Sequence, residues 1–326
     1  MKKYKWGIIG PGKIAGKFAE ALSNLPNAEL WSVGSRDVTR AKQFAQKYKA
    51  KHYAGKYEDI VHDEAIDIVY IATPHTFHHA YALLCLNNRK PVLCEKPMSV
   101  NYNSTREIIM AAKRNNVFLM EAMWTRFLPV INKAIELIND GEIGEVKSVK
   151  ADFGFLAPFN PHSRLFDLKL GGGSLLDIGV YPLFLALLLL GEPDAIKSFA
   201  HLSVTGADET MNVTLHYKNG AMASVVSTLA ANSPITAEIS GTKGNITIKS
   251  PWYKGSSLII RKDDNSGKEI SLPYGDNGFE FEIIEAMYCL DNNLKESKKM
   301  PLSFSLLMSK IVNSICDQCN LSYNIQ

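Results

Sequence analysis

The chain has 326 residues, of which 46% are hydrophobic and 21% are charged. That length favours about two domains, and the composition is that of an ordinary globular protein rather than a disordered or fibrous one. The 36 basic and 33 acidic residues leave a net charge of +3 without a basic run, which argues against a nucleic-acid or membrane-surface partner.

The N-terminus and the cysteines indicate the compartment. Residues 1–5 are basic but lead into a strand and a glycine turn, not into the apolar core of a signal peptide. The most apolar run, residues 183–190, is much shorter than the ~20 residues that cross a bilayer. The five cysteines include one isolated pair, Cys316 and Cys319, and buried free thiols are their usual state. We therefore expect a cytoplasmic protein.

The chain opens with an apolar strand over residues 4–9, followed by Gly10-Pro11-Gly12-Lys13-Ile14-Ala15 and a helical pattern. In a G-x-G-x-x-A turn the first glycine permits the tight turn and the second lets the backbone approach a pyrophosphate. The small third residue packs helix on strand, and the pyrophosphate lies on the positive end of the helix. The sequence therefore predicts dinucleotide binding, with a plain glycine turn as the alternative.

The end of the second strand bears on the choice of cofactor. An NAD site usually has a carboxylate there for the ribose, whereas this chain has Ser35 and Arg36, with Arg40 one helical turn later. Arginine pairs with phosphate oxygens, so these residues favour the 2′-phosphate of NADP. Two solvated arginines are the alternative, and Asp37 could reach the ribose after a one-residue shift, which keeps NAD possible.

The next two strands carry polar residues at their ends. A predicted strand over residues 65–72 leads into Thr73-Pro74 and His78, an apolar strand ends in Glu95-Lys96-Pro97, and a further strand is predicted over residues 117–120. Alternating strands and helices predict a parallel sheet, whose carboxyl-terminal edge binds ligands. Considered alone, Lys96 is most simply a solvated lysine at the end of a strand. The surrounding motifs favour a functional cation instead.

Metal binding is not expected. Three histidines, His75, His78 and His79, lie within one turn, but no cysteine or acidic cluster accompanies them.

The second half of the chain changes character. A helix through residue 138 precedes five predicted strands, joined by turns such as Lys218-Asn219-Gly220. The pattern predicts a mostly antiparallel sheet in an α+β domain. We expect a dinucleotide-binding domain over residues 1–122 and an α+β domain over residues 123–326.

One helix interrupts those strands. Gly171-Gly172-Gly173 precedes Asp177 and Tyr181, which at spacing i, i+4 share a helix face. The glycines allow something bulky to pass close to the backbone. The polar pair on an apolar helix is either functional or an internally hydrogen-bonded core pair.

Together these motifs resemble the glucose–fructose oxidoreductase / inositol dehydrogenase (Gfo/Idh/MocA) family. The matches run in order along nearly the whole chain and include Ile239 to Gly244. Trp124-Thr125-Arg126-Phe127-Leu128-Pro129 and the tyrosine at position 181 resemble the branch of dimeric dihydrodiol dehydrogenase and NADP-dependent D-xylose dehydrogenase. The resemblance implies an N-terminal Rossmann doubly wound sheet and a homodimer formed through the C-terminal sheet.

The resemblance also implies residue roles. Lys96 would be the catalytic lysine and Asp177 would orient substrate hydroxyls, with Tyr181 in place of the family's usual histidine. The cofactor side would comprise Gly10, Gly12, Lys13, Ile14, Ser35, Arg36, Arg40, Thr73, Pro74, His78, Glu95 and Lys96. The substrate side would comprise Trp124, Phe155, Asp177, Tyr181 and Phe279.

The implied chemistry is an oxidoreduction at a CH–OH group of a sugar, a trans-dihydrodiol or a related dicarbonyl. The hydroxyl must lose a proton as the hydride leaves, and a free phenol with a pKa of about 10 is a poor base at neutral pH. A nearby lysine cation favours the phenolate, so Lys96 would tune Tyr181 as the acid–base group. The alternative is a non-catalytic, dinucleotide-sensing regulator of the galactose-regulon repressor type.

Overall fold

The computed structural model describes residues 2–262, 267–275 and 277–323. They form two compact units, the first beginning at the N-terminus and ending at Trp124. The second unit begins at Thr125. After it, Gly275–Leu306 belongs to the first unit again, and the described residues from Leu307 to Tyr323 belong to the second. The described helices are α1 Lys13–Ser23, α2 Val38–Tyr48, α3 Tyr57–His62, α4 His78–Asn87, α5 Tyr102–Asn115, α6 Pro129–Asn139, α7 Val180–Leu190, α8 Glu280–Asp291 and α9 Leu302–Gln318.

The first unit is built on a parallel sheet. Its described strands are β1 Tyr4–Ile9, β2 Ala28–Gly34, β3 His52–Ala54, β4 Ile68–Ile71, β5 Val92–Glu95 and β6 Leu119–Ala122. They lie in the order β3-β2-β1-β4-β5-β6, the doubly wound arrangement that binds dinucleotides. The predicted Rossmann-type α/β fold is confirmed.

Apolar strands explain why this sheet lies in the core. Every residue of β4 and β5 is buried, as expected for parallel strands covered on both faces by helices. Helices α4 and α5 contribute to an apolar cluster with the sheet. Phe18 of α1 stacks on Tyr70 of β4 with ring centroids 3.7 Å apart. These contacts hold α1, α4 and α5 against the sheet.

Two strands differ from the predicted bounds. The predicted strand over residues 65–72 is shortened to Ile68–Ile71, because Asp63 closes a turn before it. The backbone N–H of Ala65 donates to the Asp63 carboxylate at 2.9 Å, and that of Ile66 donates to the Asp63 carbonyl at 3.1 Å. The predicted strand over residues 117–120 lies at Leu119–Ala122 instead.

The units differ from the predicted domains at one segment. The sequence assigned all of residues 123–326 to the second domain, whereas Gly275–Leu306 belongs to the first unit. Helix α8 in this segment packs against α1, and the N–H of Leu119 donates to the Lys295 carbonyl at 3.0 Å. These contacts join residues far apart in the chain, so local patterns do not reveal them.

The second unit contains a mostly antiparallel sheet, as predicted. Its described strands are β7 Val146–Gly154, β8 Ala195–Leu202, β9 Asp208–His216, β10 Met222–Thr228, β11 Ala237–Gly241, β12 Gly244–Ile248, β13 Ser257–Lys262 and β14 Gly267–Ser271. They follow the order β14-β13-β12-β11-β7-β10-β9-β8, with β7 and β10 parallel. The last three were not predicted; each is short, and β14 is largely exposed.

Helix α7 packs on β7 and β10 of this sheet. In the described chain, the helical stretch Leu168–Leu190 is long and apolar enough to cross a membrane by composition. However, 78% of its most apolar segment is buried inside the protein. Core packing accounts for its apolar character.

Candidate active site

The glycine turn after β1 has the shape of a phosphate-binding turn. Gly10 has φ +94°, and a Cβ on it would lie 2.9 Å from the Thr73 backbone nitrogen. A Cβ on Gly12 would meet only the Ala72 carbonyl, at 4.0 Å. No side chain caps α1, so the N–H groups of its first turn, at Lys13 and Ile14, suit an anion. The turn fits a dinucleotide pyrophosphate.

Asp37, the carboxylate at the end of β2, caps the start of helix α2. Asp37 accepts hydrogen bonds from the N–H groups of Thr39 at 2.9 Å and Arg40 at 3.3 Å. The Ser35 hydroxyl accepts from the Asp37 N–H at 3.1 Å. The Arg36 guanidinium lies over the Phe77 ring at 5.0 Å. Asp37 is thus committed to the start of α2, while Arg36 and Arg40 are exposed.

His78 holds two loops together. Its fully buried ring has Nε2 2.8 Å from the Thr73 carbonyl oxygen and Nδ1 2.8 Å from that of Pro97. Burial lowers the pKa of this imidazole to about 4, with Lys96 adding to the effect. Because the ring is buried between Thr73 and Pro97, the structure places it as a link between them. The cofactor-side role predicted for His78 stays a prediction.

Lys96 follows β5 in a buried, charged setting. The carboxylate of Glu95 accepts a 2.5 Å hydrogen bond from the Tyr70 hydroxyl and a 3.1 Å bond from the Lys96 N–H. Burial raises the pKa of Glu95, and the Lys96 charge and the Tyr70 bond oppose that rise. Thr73, Pro74, Glu95 and Lys96 therefore lie at one edge of the sheet, around His78.

Glu121 and Glu282 are among the further buried acids of the first unit. Glu121 accepts from the Met98 N–H at 2.9 Å. Glu282 of α8 is 0% exposed, and within the described residues neither of its carboxyl oxygens has a hydrogen-bond partner. Burial raises the pKa of both groups, and the Glu95 charge adds to the rise at Glu282. A buried carboxyl without a hydrogen-bond partner is costly in its charged form, so its environment favours the neutral form of Glu282.

Two predicted substrate residues stack on each other. The rings of Trp124 and Phe279, both in the first unit, lie 5.0 Å apart and 11° from parallel. Both side chains are buried. Within the described residues no group of three or more His, Cys, Asp or Glu side chains is placed to hold a metal ion.

Asp177 and Tyr181 lie at the start of the core helix of the second unit. The sequence predicted one α-helical face, but Leu175–Gly179 forms a π-helical turn before α7 begins at Val180. Because the π-helical turn is wider than an α-helical one, the prediction that Asp177 and Tyr181 share one α-helical face was wrong. The Tyr181 ring lies 5.7 Å from the Phe153 ring and 5.5 Å from the Tyr253 ring. The ring of Phe155, another predicted substrate residue, lies 6.5 Å from the Phe153 ring.

The glycine run lets the preceding loop pack against this turn. A Cβ on Gly172 would lie 2.8 Å from the Arg164 carbonyl oxygen, and the Gly173 N–H donates to the Leu165 carbonyl at 2.8 Å. Arg164 Nη2 then lies 2.9 Å from Asp177 Oδ1. The bulky neighbour that the glycines predicted is the chain's own loop, and Arg164 itself was not predicted.

A buried aspartate anchors the same turn. Asp208 of β9 accepts from the Ser174 hydroxyl at 2.7 Å, the Leu175 N–H at 2.7 Å and the Tyr323 hydroxyl at 3.0 Å. Burial raises its pKa to about 6. A Cβ on Gly173 would lie 2.0 Å from an Asp208 oxygen, which is why glycine is required there. Sequence reasoning missed Asp208 because its partners are far apart in the chain.

The comparisons with known proteins agree with this architecture. The family model described as an oxidoreductase family with an NAD-binding Rossmann fold matches residues 4–123, and the GFO/IDH/MocA C-terminal domain model matches residues 131–247. The trans-1,2-dihydrobenzene-1,2-diol dehydrogenase of Xenopus tropicalis is 37% identical over 98% of this chain and 99% of its own length. The chain belongs to the Gfo/Idh/MocA oxidoreductase family. The resemblance read from the sequence is confirmed.

Solved structures of similar fold extend the comparison. An aldose–aldose oxidoreductase from Caulobacter crescentus, solved with glycerol, aligns with TM-score 0.89 and 25% identity over 98% of both chains. A 3-ketoreductase from Actinomadura kijaniata aligns with TM-score 0.86 and 23% identity over 99% of both. This Gfo/Idh/MocA member therefore has the family's fold along nearly its whole length.

We predict that Asp208→Asn changes how stability depends on pH. The folded-state pKa of about 6 lies above the ordinary 3.8, so the proton on Asp208 stabilises the fold below pH 3.8. That contribution is lost as pH rises through about 6, and it is on the order of 3 kcal/mol. Denaturant unfolding at several pH values should show this loss in the wild type relative to Asp208→Asn.

Asp194→Asn is the matched control in the same unit. The pKa of Asp194 is lowered, chiefly by the Lys218 N–H hydrogen bond, so its pH dependence has the opposite sign. A constant difference in unfolding free energy between wild type and Asp208→Asn from pH 3.5 to pH 7 would contradict the ionisation assigned to Asp208.

Proposed function

We propose that the protein is an NADP-dependent oxidoreductase that transfers hydride between the cofactor and a CH–OH group of a small sugar or diol. The proposal rests on one edge of the sheet in the first unit, where the glycine turn, the Thr73 loop and Lys96 lie together. Gly10 packs against Thr73, and His78 ties Thr73 to Pro97 beside Lys96.

The relatives support the substrate class. Those named above include a dihydrodiol dehydrogenase at 37% identity and an aldose–aldose oxidoreductase solved with glycerol. Both act, by name, on hydroxylated carbon compounds. A sugar, a trans-dihydrodiol or, in the reductive direction, a dicarbonyl is accordingly the substrate class we propose.

The residues of the first unit fit NADP. Bound NADP supplies a nicotinamide that accepts or returns a hydride. The Gly10–Gly12 turn and the N–H groups at Lys13 and Ile14 would hold its pyrophosphate, and Arg36 with Arg40 its 2′-phosphate. Ser35, Thr73, Pro74 and Glu95 complete the side that we propose faces the cofactor, with His78 fixing the loops. NAD remains possible as a second cofactor.

The acid–base roles follow the sequence prediction. In the oxidative direction the Tyr181 phenolate would take the substrate hydroxyl proton, and Asp177 would orient the hydroxyls. The Lys96 ammonium would favour the phenolate by its charge. We further propose that Trp124, Phe155 and Phe279 line the apolar side of the substrate.

We predict that Lys96→Met and Tyr181→Phe each lower turnover by about 10²-fold or more, because each removes the charge or the proton carrier from the reaction. NADPH affinity, followed by its fluorescence, should stay within about threefold of wild type. Turnover is measured as absorbance at 340 nm over a panel of aldoses, a trans-dihydrodiol and dicarbonyls.

The controls are Lys113→Met, in the exposed last turn of α5, and Tyr217→Phe, whose hydroxyl donates to the Gly191 carbonyl. Both should keep wild-type turnover. Retained turnover in Lys96→Met or Tyr181→Phe would refute the assigned roles. NADPH binding without turnover of any panel compound by the wild type would favour the dinucleotide-sensing regulator.

We predict that Arg36→Ala raises KM for NADP by about tenfold or more and leaves KM for NAD nearly unchanged. The guanidinium is the partner proposed for the 2′-phosphate, and Asp37 is held at the start of α2 by the N–H groups of Thr39 and Arg40. Steady-state kinetics with both cofactors measures this, with Arg114→Ala as control. Better turnover with NAD than NADP in the wild type would overturn the cofactor preference.

The cytoplasmic location remains our proposal, as does the absence of nucleic-acid, membrane and metal partners. All five cysteines are free thiols, which is usual in a reducing compartment. Burial raises the pKa of Cys316 to about 12, so this thiol is a poor nucleophile and the isolated cysteine pair suits a structural role.

We also propose a homodimer through the open face of the second sheet. The strand register places the side chains of Phe199, Val226 and Met222 on that same face, and Phe199 is 78% exposed. Asn212 and His216 between them are polar, so the face is mixed rather than regularly apolar. An exposed apolar group of this kind is a common feature of interfaces.

We predict that Phe199→Asp converts the dimer to a monomer, because it places a charge at the centre of the apolar group. Light scattering at micromolar concentration measures the mass. Val204→Asp, at a 92% exposed residue beyond β8, is the control and should leave the dimer intact. A monomeric wild type would contradict the dimer itself.

A further inference from the structure

The π-helical turn Leu175–Gly179 gives two proposed site residues different surroundings. Hydrogen bonds in a π-helical turn join residues five apart, against four in an α-helix, so the turn contains one residue more. Asp177, inside the turn, lies 2.9 Å from Arg164 Nη2. Tyr181, the second residue of α7, instead has its ring centroid 5.7 Å from that of Phe153. The offset between the two side chains therefore depends on the turn keeping its extra residue.

A carboxylate from another strand holds the start of this turn. Asp208 Oδ2 accepts from the Ser174 hydroxyl and from the Leu175 N–H, each at 2.7 Å. Ser174 itself has helical backbone angles, and its side chain does not cap the turn. Asp208 thus takes the place of the cap, and a carboxylate at the first N–H groups of a helix also interacts favourably with the helix dipole. Because Asp208 is fully buried, these bonds are little screened by solvent ions.

The Tyr323 hydroxyl holds the second oxygen of the same carboxylate. It donates to Asp208 Oδ1 at 3.0 Å, and Tyr323 is buried. Each Asp208 oxygen therefore has a donor of its own, so the carboxylate cannot rotate without losing a hydrogen bond. Such a loss would leave a buried oxygen unsatisfied, which is costly. Tyr323 thus fixes the orientation in which Asp208 meets the turn.

One hydroxyl of β10 lies against both ends of the turn. Ser227 Oγ is 2.9 Å from Ser174 Oγ, at the start. At the other end, a Cβ on Gly179 would lie only 2.7 Å from Ser227 Oγ. Gly179 approaches β10 this closely because it has no side chain. The turn is therefore held at its start by Asp208 and packed at its end against Ser227.

We propose that Asp208, Ser227 and Tyr323 are positioning residues that stabilise the π-helical form of this turn and so set where Asp177 lies relative to Tyr181, an inference that rests on the proposed function. Single π-helical turns within helices are frequent at functional sites. Without these contacts the turn can relax to α-helical spacing, which places residues i and i+4 on one face. A displacement of about 1 Å at a reacting group can cost about 10²-fold in rate. Since all three residues are buried, they act through the turn.

The first test adds a methyl group at the end of the turn and then removes the hydroxyl that it meets. Gly179→Ala should lower kcat about tenfold or more, with a smaller change in KM, on the panel compound that the wild type turns over best. Ser227→Ala alone should lower kcat about threefold. Gly179→Ala/Ser227→Ala should regain about threefold or more over Gly179→Ala, because the clash is relieved. Two independent losses of stability would instead make the double variant the least active.

The second test removes one hydrogen-bond donor from the anchor. Tyr323→Phe should lower kcat about fivefold and change KM less than about twofold. Tyr217→Phe, which likewise removes one hydroxyl from a buried tyrosine of the second unit, is the matched control and should keep wild-type kcat. Gly267→Ala, where a Cβ would meet nothing closer than 3.6 Å, is the control for the added methyl group. Denaturant unfolding shows that each variant is folded at the assay temperature.

Amide hydrogen exchange of residues 175–181, followed by mass spectrometry, tests the anchoring of the turn without turnover. Exchange there should quicken about tenfold in Gly179→Ala and about threefold in Tyr323→Phe, and it should slow again in Gly179→Ala/Ser227→Ala. The inference is overturned by wild-type exchange in either single variant, by faster exchange with unchanged kcat, or by a double variant no more active than Gly179→Ala. If the wild type turns over no compound of the panel but exchange follows the expected order, the anchoring of the turn is upheld and the proposed oxidoreductase function alone fails.

Discussion

A buried positive charge at the end of β5 is the constraint on which the first unit depends. An ammonium group loses much of its hydration when it is buried, so Lys96 needs a neighbouring carboxylate to remain charged. Glu95 supplies it, and the Tyr70 hydroxyl holds that carboxylate at 2.5 Å. Burial also raises the pKa of the buried acids Glu121 and Glu282, and the Lys96 charge opposes that rise at Glu121.

In each unit a buried polar group links the segments that carry the proposed site residues. In the first unit the His78 ring joins the Thr73 and Pro97 carbonyls, which sets the loops on either side of Lys96. In the second unit Asp208 binds Ser174 and Leu175 at the start of the turn that carries Asp177. Such supports would provide the preorganisation that catalysis by the proposed site residues requires.

Local patterns in the sequence predicted what local physics determines. The apolar strands, the glycine turn and the strand end at Lys96 follow from neighbouring residues, and β1 has the bounds that the sequence predicts. The capping role of Asp37 was missed, although an aspartate just before a helix is a typical N-cap. Arg164, Asp208 and Glu282 were missed because their environments arise from residues 13 or more positions away, as the Arg164–Asp177 pair shows. The π-helical turn was missed because its sequence has ordinary helical spacing.

The central claim is that the Lys96 charge makes Tyr181 a usable base. The measurement that tests it most directly is the pH dependence of single-turnover hydride transfer to NADP, with wild type and Lys96→Met compared on the substrate that the panel identifies. The account predicts that the wild-type rate rises with pH to a plateau, with a midpoint below the value of about 10 of a free phenol, and that Lys96→Met shifts this midpoint upward by about one pH unit or more. An identical midpoint in the two proteins would contradict it.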